Sequence, residues 1–379
     1  MKVLMIISHF WPQMAGAEVF AKNISEYLVK KGHRVDILTG RWKKEWKMQE
    51  KIKGVRIIRV KPWLNFRPFK TIGIFFPLFS KALHLTKVRN YDLVHVHIFP
   101  ASIVGALVKR ETPLIVTVQG GDIGDYSENF GMFSPFLRLI ISQALKKAEV
   151  VHAVSYDLEK SLKKMGVKRI KVIPNGVNTK IFKKRNKKKT KTKLQIPSSK
   201  FVIVSHSRLT FKNGLDLLIK AVAKIKEKSN ILVFLIGEGY LRNRLEKLMH
   251  RTDLCNQIKF LGYKRQEEIA EYLAASDVFV RPSRQEGFGI AFLESMAVGL
   301  SVIGTRVGGI PDFVIHKKNG LLIAPENIKE LTKAIKLLKK NKNLRKKLGK
   351  NARKMVLKKY AWPKICQQIE NLYKGLGQF

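Results

Sequence analysis

The chain has 379 residues, 45% of them hydrophobic, which is enough for two cores and too apolar for bulk disorder. Its 74 Lys and Arg against 28 Asp and Glu give a formal net charge of +46, a field that attracts polyanions. The two cysteines, Cys255 and Cys366, offer neither a disulfide framework nor zinc-site spacing, and no apolar run nears the ~20 residues that span a bilayer. A cytoplasmic protein is expected, soluble or peripheral on the inner face of the membrane.

From the N-terminus the pattern reads strand, glycine-containing turn, helix, strand. Residues 2–8 are apolar and β-rich, and lack the cleavage site of a signal peptide. Gly16 sits in the following turn, and 17–30 repeats Val19, Phe20, Ile24, Tyr27 and Leu28 at helical spacing. Further short apolar runs at 35–38, 55–60, 93–96, 114–118 and 150–154 predict a parallel sheet covered by helices. Residues 62–85 mix Trp63, Phe75, Phe76 and Phe79 with Arg67, Lys70 and Lys81, which suits either a buried helix pair or an interfacial surface.

The same grammar restarts at 201–205, with strands expected at 231–236, 258–261, 278–280, 301–303 and 320–323. Two doubly wound α/β domains in series are therefore expected, joined near 174–200. Eight of the eleven residues from 183 to 193 are basic, so that joint reads as a mobile surface loop.

Open parallel sheets bind ligands beyond the carboxyl ends of their strands, so the informative residues follow each strand. Gly16 lets backbone approach a ligand at a helix N-terminus, although a tight turn explains one glycine equally well. Arg208 and Lys212 follow the strand at 201–205, where two cations suit a diphosphate. After the strand at 278–280, Glu286 falls in a turn, Gly287-Phe288-Gly289-Ile290 leads into a helix, and Glu294 lies about one turn inside it. Each carboxylate can accept two hydrogen bonds from paired sugar hydroxyls. No His or Asp joins them to suggest a metal. A glycosidase pair is disfavoured, because a loop carboxylate and a helix carboxylate need not face one bond. His95 and His97 share one face of a strand and could serve as base, metal ligand or packing residues.

The segment 281–311 strongly resembles the retaining glycosyltransferase family 4, of the two-Rossmann-domain GT-B architecture. The resemblance rests on Glu286 and Glu294 with seven residues between them, then Ala297-Val298-Gly299 and Gly308-Gly309-Ile310-Pro311. Val172-Ile173-Pro174-Asn175-Gly176-Val177-Asn178, Ile236-Gly237-Glu238-Gly239 and Phe260-Leu261-Gly262 support it across nearly the whole chain. It implies a GT-B fold, with an acceptor-side domain at 1–175, a nucleotide-sugar domain at 176–359 and a final helix at 360–379 packing back onto the first.

The activity implied is retaining transfer from an NDP-sugar to a glycan or lipid-linked acceptor, such as a cell-envelope precursor, with no cofactor and no bound metal. Glu294 would hold the ribose hydroxyls, and Glu286 the donor sugar with backbone groups of Gly287, Phe288, Gly289 and Ile290. Arg208 and Lys212 would clamp the diphosphate, with Gly16 opposite. Three positions depart from the family pattern. Ala15 stands where a second glycine is common. Asn213 beside Lys212 leaves the phosphate lysine open to a one-residue displacement. Gln119 stands where many relatives carry histidine. A glutamine is no general base, so Gln119 would position the sugar while the departing phosphate takes the acceptor's proton. Asp122 and His97 are secondary acceptor-side candidates.

Two other readings follow from the same residues. The net charge suits a basic nucleic-acid-binding protein without enzymatic role, yet no interleaved aromatic–basic signature or reading module is present. A nicotinamide dehydrogenase would need G-x-G-x-x-G after the first strand, which is missing. Residues 333–359 hold thirteen basic residues and no acid, which fits either solvated surface or contact with an anionic membrane surface.

Overall fold

The computed structural model describes residues 1–12, 16–64, 70–97, 99–109, 111–120 and 134–376, with side chains for all of these but 70–72 and 134–137. The chain divides into two compact units, one of Met1–Asn175 with Pro363–Phe379, the other of Gly176–Trp362.

The first unit runs β1 (Lys2–Ile7), α1 (Gly16–Lys30), β2 (Arg34–Gly40), β3 (Gln49–Ile52), β4 (Val55–Val60), α2 (Lys70–Val88), β5 (Leu93–His97), α3 (Ala101–Val108), β6 (Leu114–Val118), α4 (Ser134–Lys146), β7 (Val150–Ala153), α5 (Tyr156–Lys164) and β8 (Ile170–Val172). Its sheet order is β3-β4-β2-β1-β5-β6-β7-β8. β1 pairs in parallel with β2 and β5, and its residues 3–7 are fully buried, as expected for a strand covered on both faces. The direction of winding reverses between β1 and β5, so the carboxyl ends of those strands mark this unit's switch point.

The expectation of an all-parallel sheet fails at one edge. β3 pairs antiparallel with β4 through a two-residue turn at Lys53 and Gly54, both left-handed, which is the geometry a tight hairpin requires. Its sequence, Gln-Glu-Lys-Ile, contains no apolar run, because an edge strand needs no buried face on both sides.

The second unit runs α6 (Lys187–Lys193), β9 (Phe201–His206), α7 (Leu215–Ala223), β10 (Ile231–Ile236), α8 (Arg242–Arg251), β11 (Ile258–Gly262), α9 (Gln266–Ala275), β12 (Val278–Arg281), α10 (Ile290–Val298), β13 (Ser301–Thr305), β14 (Leu321–Ile323), α11 (Ile328–Lys340) and α12 (Lys342–Lys359). The strand order β11-β10-β9-β12-β13-β14 is, within the unit, 3-2-1-4-5-6, the dinucleotide-fold order. Its switch point lies between the carboxyl ends of β9 and β12. A last helix, α13 (Trp362–Leu376), returns the chain to the first unit.

The basic joint is not the mobile loop expected. Asn186 caps α6 through Lys189 N, and Lys191 is buried. Lys187 Nζ reaches Asp277 Oδ1 at 2.5 Å, Lys191 Nζ reaches Oδ2 at 4.0 Å, and Arg345 Nη2 lies 3.5 Å from Oδ1. One carboxylate thus gathers three cations, and Asp277 Oδ2 also accepts from Val202 N at the start of β9. The charge run is partly an internal anchor, which composition alone could not distinguish from solvated surface.

Candidate functional site

β12 ends at Arg281, a buried guanidinium at the switch point of the second sheet. Its Nε donates to Ser283 Oγ at 3.2 Å, its Nη2 donates to Glu286, and the group lies 4.9 Å from the Phe292 ring centroid. Glu286 is thereby fixed in the turn, half-buried. Gly289, in the left-handed region, starts α10, and no side chain caps that end. The first N–H groups of α10 and the positive end of its dipole are therefore available to an anionic or oxygen-rich ligand.

Glu294, one turn inside α10, is buried beside His206 at the end of β9, with Nε2 3.4 Å from Oε2 but not aligned for a hydrogen bond. Burial pushes the Glu294 carboxyl up to about 8, against the opposing pull of Arg281. Burial first, and Arg281 second, push His206 down to about 3. Burial thus shifts both groups toward their neutral forms. A neutral carboxyl can donate one hydrogen bond and accept another, which still suits a pair of hydroxyls.

The loops bearing these groups are held by close backbone approach. Gly214 has φ +64°, and a Cβ there would fall 2.0 Å from the Pro282 carbonyl oxygen. Gly308 has φ +52°, and a Cβ there would fall 1.6 Å from the carbonyl oxygen of Glu286. The glycines of two separate motifs therefore seat the Glu286 loop from both sides. Arg284 completes the frame. It forms a bidentate pair with Asp216 at 2.7 and 2.9 Å, pairs with Glu326, donates to the Phe211 carbonyl at 2.9 Å and stacks 4.0 Å from that ring's centroid.

Arg208 is exposed and makes no ion pair among the described residues. Lys212 is half-buried, and its carbonyl accepts from Arg284 N at 2.7 Å and Gln285 N at 3.3 Å, which ties its loop to the Glu286 loop. Asn213 is buried, and its Nδ2 donates to the Arg208 carbonyl at 2.7 Å, closing the loop from within. The Phe288 side chain points away from the turn, with Phe313 at 5.2 Å and Tyr360 at 6.2 Å between ring centroids, so only its backbone can serve a ligand. Arg281, Arg284 and His206 were not singled out from the sequence. The signal of Arg284 and His206 is tertiary, since Asp216 lies 68 residues from Arg284 and Glu294 is on a distant element, whereas the hydrogen-bond partners of Arg281, Ser283 and Glu286, are local.

In the first unit Gly16 is the exposed first residue of α1, and Gln119 is half-buried just after β6. Asp122 and Ala15 lie outside the described residues. His97 sits at the carboxyl end of β5 but is fully buried, its ring 4.1 Å from that of His95 and 5.9 Å from that of Phe20. Burial, then His152, pushes it down to about 3. Both its ring nitrogens are buried without a hydrogen-bond partner.

Its neighbours form a chain of hydrogen bonds whose direction is fixed at one end. The Ile173 carbonyl can only accept, so His152 Nε2 donates to it at 2.7 Å. His152 is neutral, pushed down to about 4 by burial, so its Nδ1 accepts from Thr117 Oγ1 at 2.9 Å. Thr117 then accepts from His95 Nε2 at 2.6 Å, and His95 Nδ1 accepts from the Tyr373 hydroxyl at 2.5 Å. The chain thus binds α13 across β5, β6 and β7.

Two family models match the chain, the Glycosyltransferase Family 4 model over residues 14–181 and the Glycosyl transferases group 1 model over residues 186–355. An uncharacterized glycosyltransferase of Methanocaldococcus jannaschii, MJ1178, is 30% identical over 100% of this chain and 99% of its own length. Sucrose-phosphate synthase from Thermosynechococcus elongatus superposes with a TM-score of 0.88 at 23% identity, over 99% of this chain and 98% of that one. Anabaena HepE in complex with UDP-glucose gives a TM-score of 0.81 at 23% identity, with 99% of each chain covered. The chain belongs to glycosyltransferase family 4 and is a glycosyltransferase of the GT-B fold.

Proposed function

We propose that the chain transfers a glycosyl group from a nucleoside-diphosphate sugar with retention of configuration and without a bound metal. The observation that carries this reading is the convergence of Glu286, Glu294, Arg281, His206 and the uncapped start of α10 at the switch point of the second sheet. The UDP-glucose complex of the structural neighbour supports a nucleotide-sugar donor.

In this reading Glu294 takes the ribose hydroxyls, donating to one and accepting from the other. Arg208 and Lys212 take the diphosphate, with Lys212 unshifted because Asn213 is spent on the loop's own carbonyl. Glu286, held by Arg281, takes the donor sugar's hydroxyls beside the N–H groups of Gly289 and Ile290. Negative charge that develops on the leaving diphosphate meets preorganised cations and the helix N-terminus. The leaving phosphate oxygen accepts the acceptor's proton, and Gln119 positions the sugar without titrating. Asp122 remains the secondary acceptor-side candidate.

A lipid-linked acceptor fits the first unit. Trp63 is 72% exposed and stacks on the exposed Phe76 of α2 with centroids 5.4 Å apart. An exposed aromatic pair suits the headgroup region of a membrane. Among the described residues no helix is long and apolar enough to cross a membrane.

The test is incubation of the purified chain with UDP-, GDP- and ADP-sugars, followed by NMR of the anomeric configuration in the product. Transfer or slow hydrolysis of at least one donor with retention is expected. Inversion, or no reaction with any donor in the presence of membrane lipid acceptors, would contradict the proposal.

A further inference from the structure

We propose that the groove between α7 and α8 is a second ligand site, for a small organic anion with an apolar body, distinct from the donor site. The groove encloses a cavity of about 350 Å³, at the small end of ligand-pocket sizes. Its floor is apolar, from Leu241 just before α8, Leu245 and Leu248 on it, and Phe211, which is 52% exposed. Its rim is cationic. Arg244, Lys247 and Arg251 recur at three- and four-residue spacing, so they share one face of α8, and none makes an ion pair among the described residues.

The acid on the rim does not cancel that charge. Asp216 is engaged by both Nη atoms of Arg284, with Lys220 Nζ 3.7 Å from its Oδ2. The nearby carboxylates of Glu246 on α8 and Glu238 before it are also taken, since Arg242 pairs with Glu238 at 3.2 Å and Glu246 at 2.5 Å. The cavity therefore presents an apolar slot edged by three uncompensated cations. A phosphate or carboxylate on an aromatic or short aliphatic group satisfies both parts, and an inorganic anion only one.

Phe211 gives the site a route to the donor loop. One side of its ring lies against Arg284, its carbonyl accepts from that guanidinium, and the next residue is Lys212. An occupant against the ring would bias the 210–214 loop, and so the affinity for a nucleoside diphosphate. This coupling rests on the proposed donor role of that loop; the binding itself does not.

Calorimetric titration of the full chain with 1-naphthyl phosphate, and separately with inorganic phosphate, tests the proposal. Naphthyl phosphate is expected to bind at least tenfold more tightly. Combining Arg244→Ala with Arg251→Ala should weaken it at least tenfold, with affinity for UDP, GDP or ADP, whichever binds, unchanged. Saturating naphthyl phosphate should shift that nucleotide affinity at least threefold. Equal affinity for inorganic phosphate, an unaffected variant, or simple competition with the nucleotide would overturn the site, and an unshifted nucleotide affinity would overturn the coupling. Failure of the donor reading shows separately, as the absence of any nucleotide titration.

Discussion

At the scale of the residue, the Glu286 loop is shaped as much by missing side chains as by present ones. Gly308 meets the Glu286 carbonyl so closely that no Cβ fits without moving the loop, and its φ is left-handed. Gly308→Ala should therefore cost at least ~1–2 kcal/mol from the backbone conformation alone. It should also displace Glu286, lowering transfer more than nucleotide binding. Thermal unfolding together with the ratio of kcat to nucleotide Kd checks this; an unchanged midpoint would show that the loop yields freely. The glutamate pair was legible in the sequence because turn glycines and helix formers bracket it. The upward shift of Glu294 was not, because it comes from burial by chain segments far from position 294, with His206 88 residues earlier.

At the scale of the element, strands with two buried faces announced themselves as apolar runs, whereas the order of the strands came only from the structure. β3 did not, because a polar edge strand owes its existence to the Lys53–Gly54 turn and to its partner β4. α6 was misread because a run of lysines looks alike whether it faces water or converges on Asp277. α13 is held to the first unit by the hydroxyl of Tyr373. Tyr373→Phe would leave His95 Nδ1 buried without its donor, at a cost of about 1–3 kcal/mol. That loss should appear as a lower unfolding midpoint for the first unit, with donor binding by the second unit preserved. An unchanged midpoint would mean that the chain of hydrogen bonds contributes nothing net.

At the scale of the whole molecule, the buried histidines are distributed unequally. The first unit holds His95, His97 and His152, all pushed down by burial, and the second holds His206. An imidazole with a lowered folded pKa contributes stability that is complete above about 6.5 and is lost as pH falls through the folded value, about 3 for His97 and His206 and about 4 for His152. Glu294 has the opposite sign. Its raised value gives stability below its ordinary 4.5 that is lost as pH rises through about 8. Acidification from pH 6.5 to 5 should thus destabilise the first unit by up to about 1.4 kcal/mol per pH unit for each histidine. The second unit is partly compensated by Glu294. Calorimetric scans should show the two transitions separating as pH falls over that range, whereas parallel shifts would contradict the assignment.

The central claim is that the switch point of the second sheet holds a nucleotide through Glu294. Isothermal titration of UDP, GDP and ADP into the full chain and into Glu294→Ala tests it most directly. Loss of the buried carboxyl's bonds to two hydroxyls should weaken the preferred nucleotide by about 1.5–3 kcal/mol, roughly 10- to 150-fold. An undiminished affinity in Glu294→Ala, with the variant folded, would contradict the account.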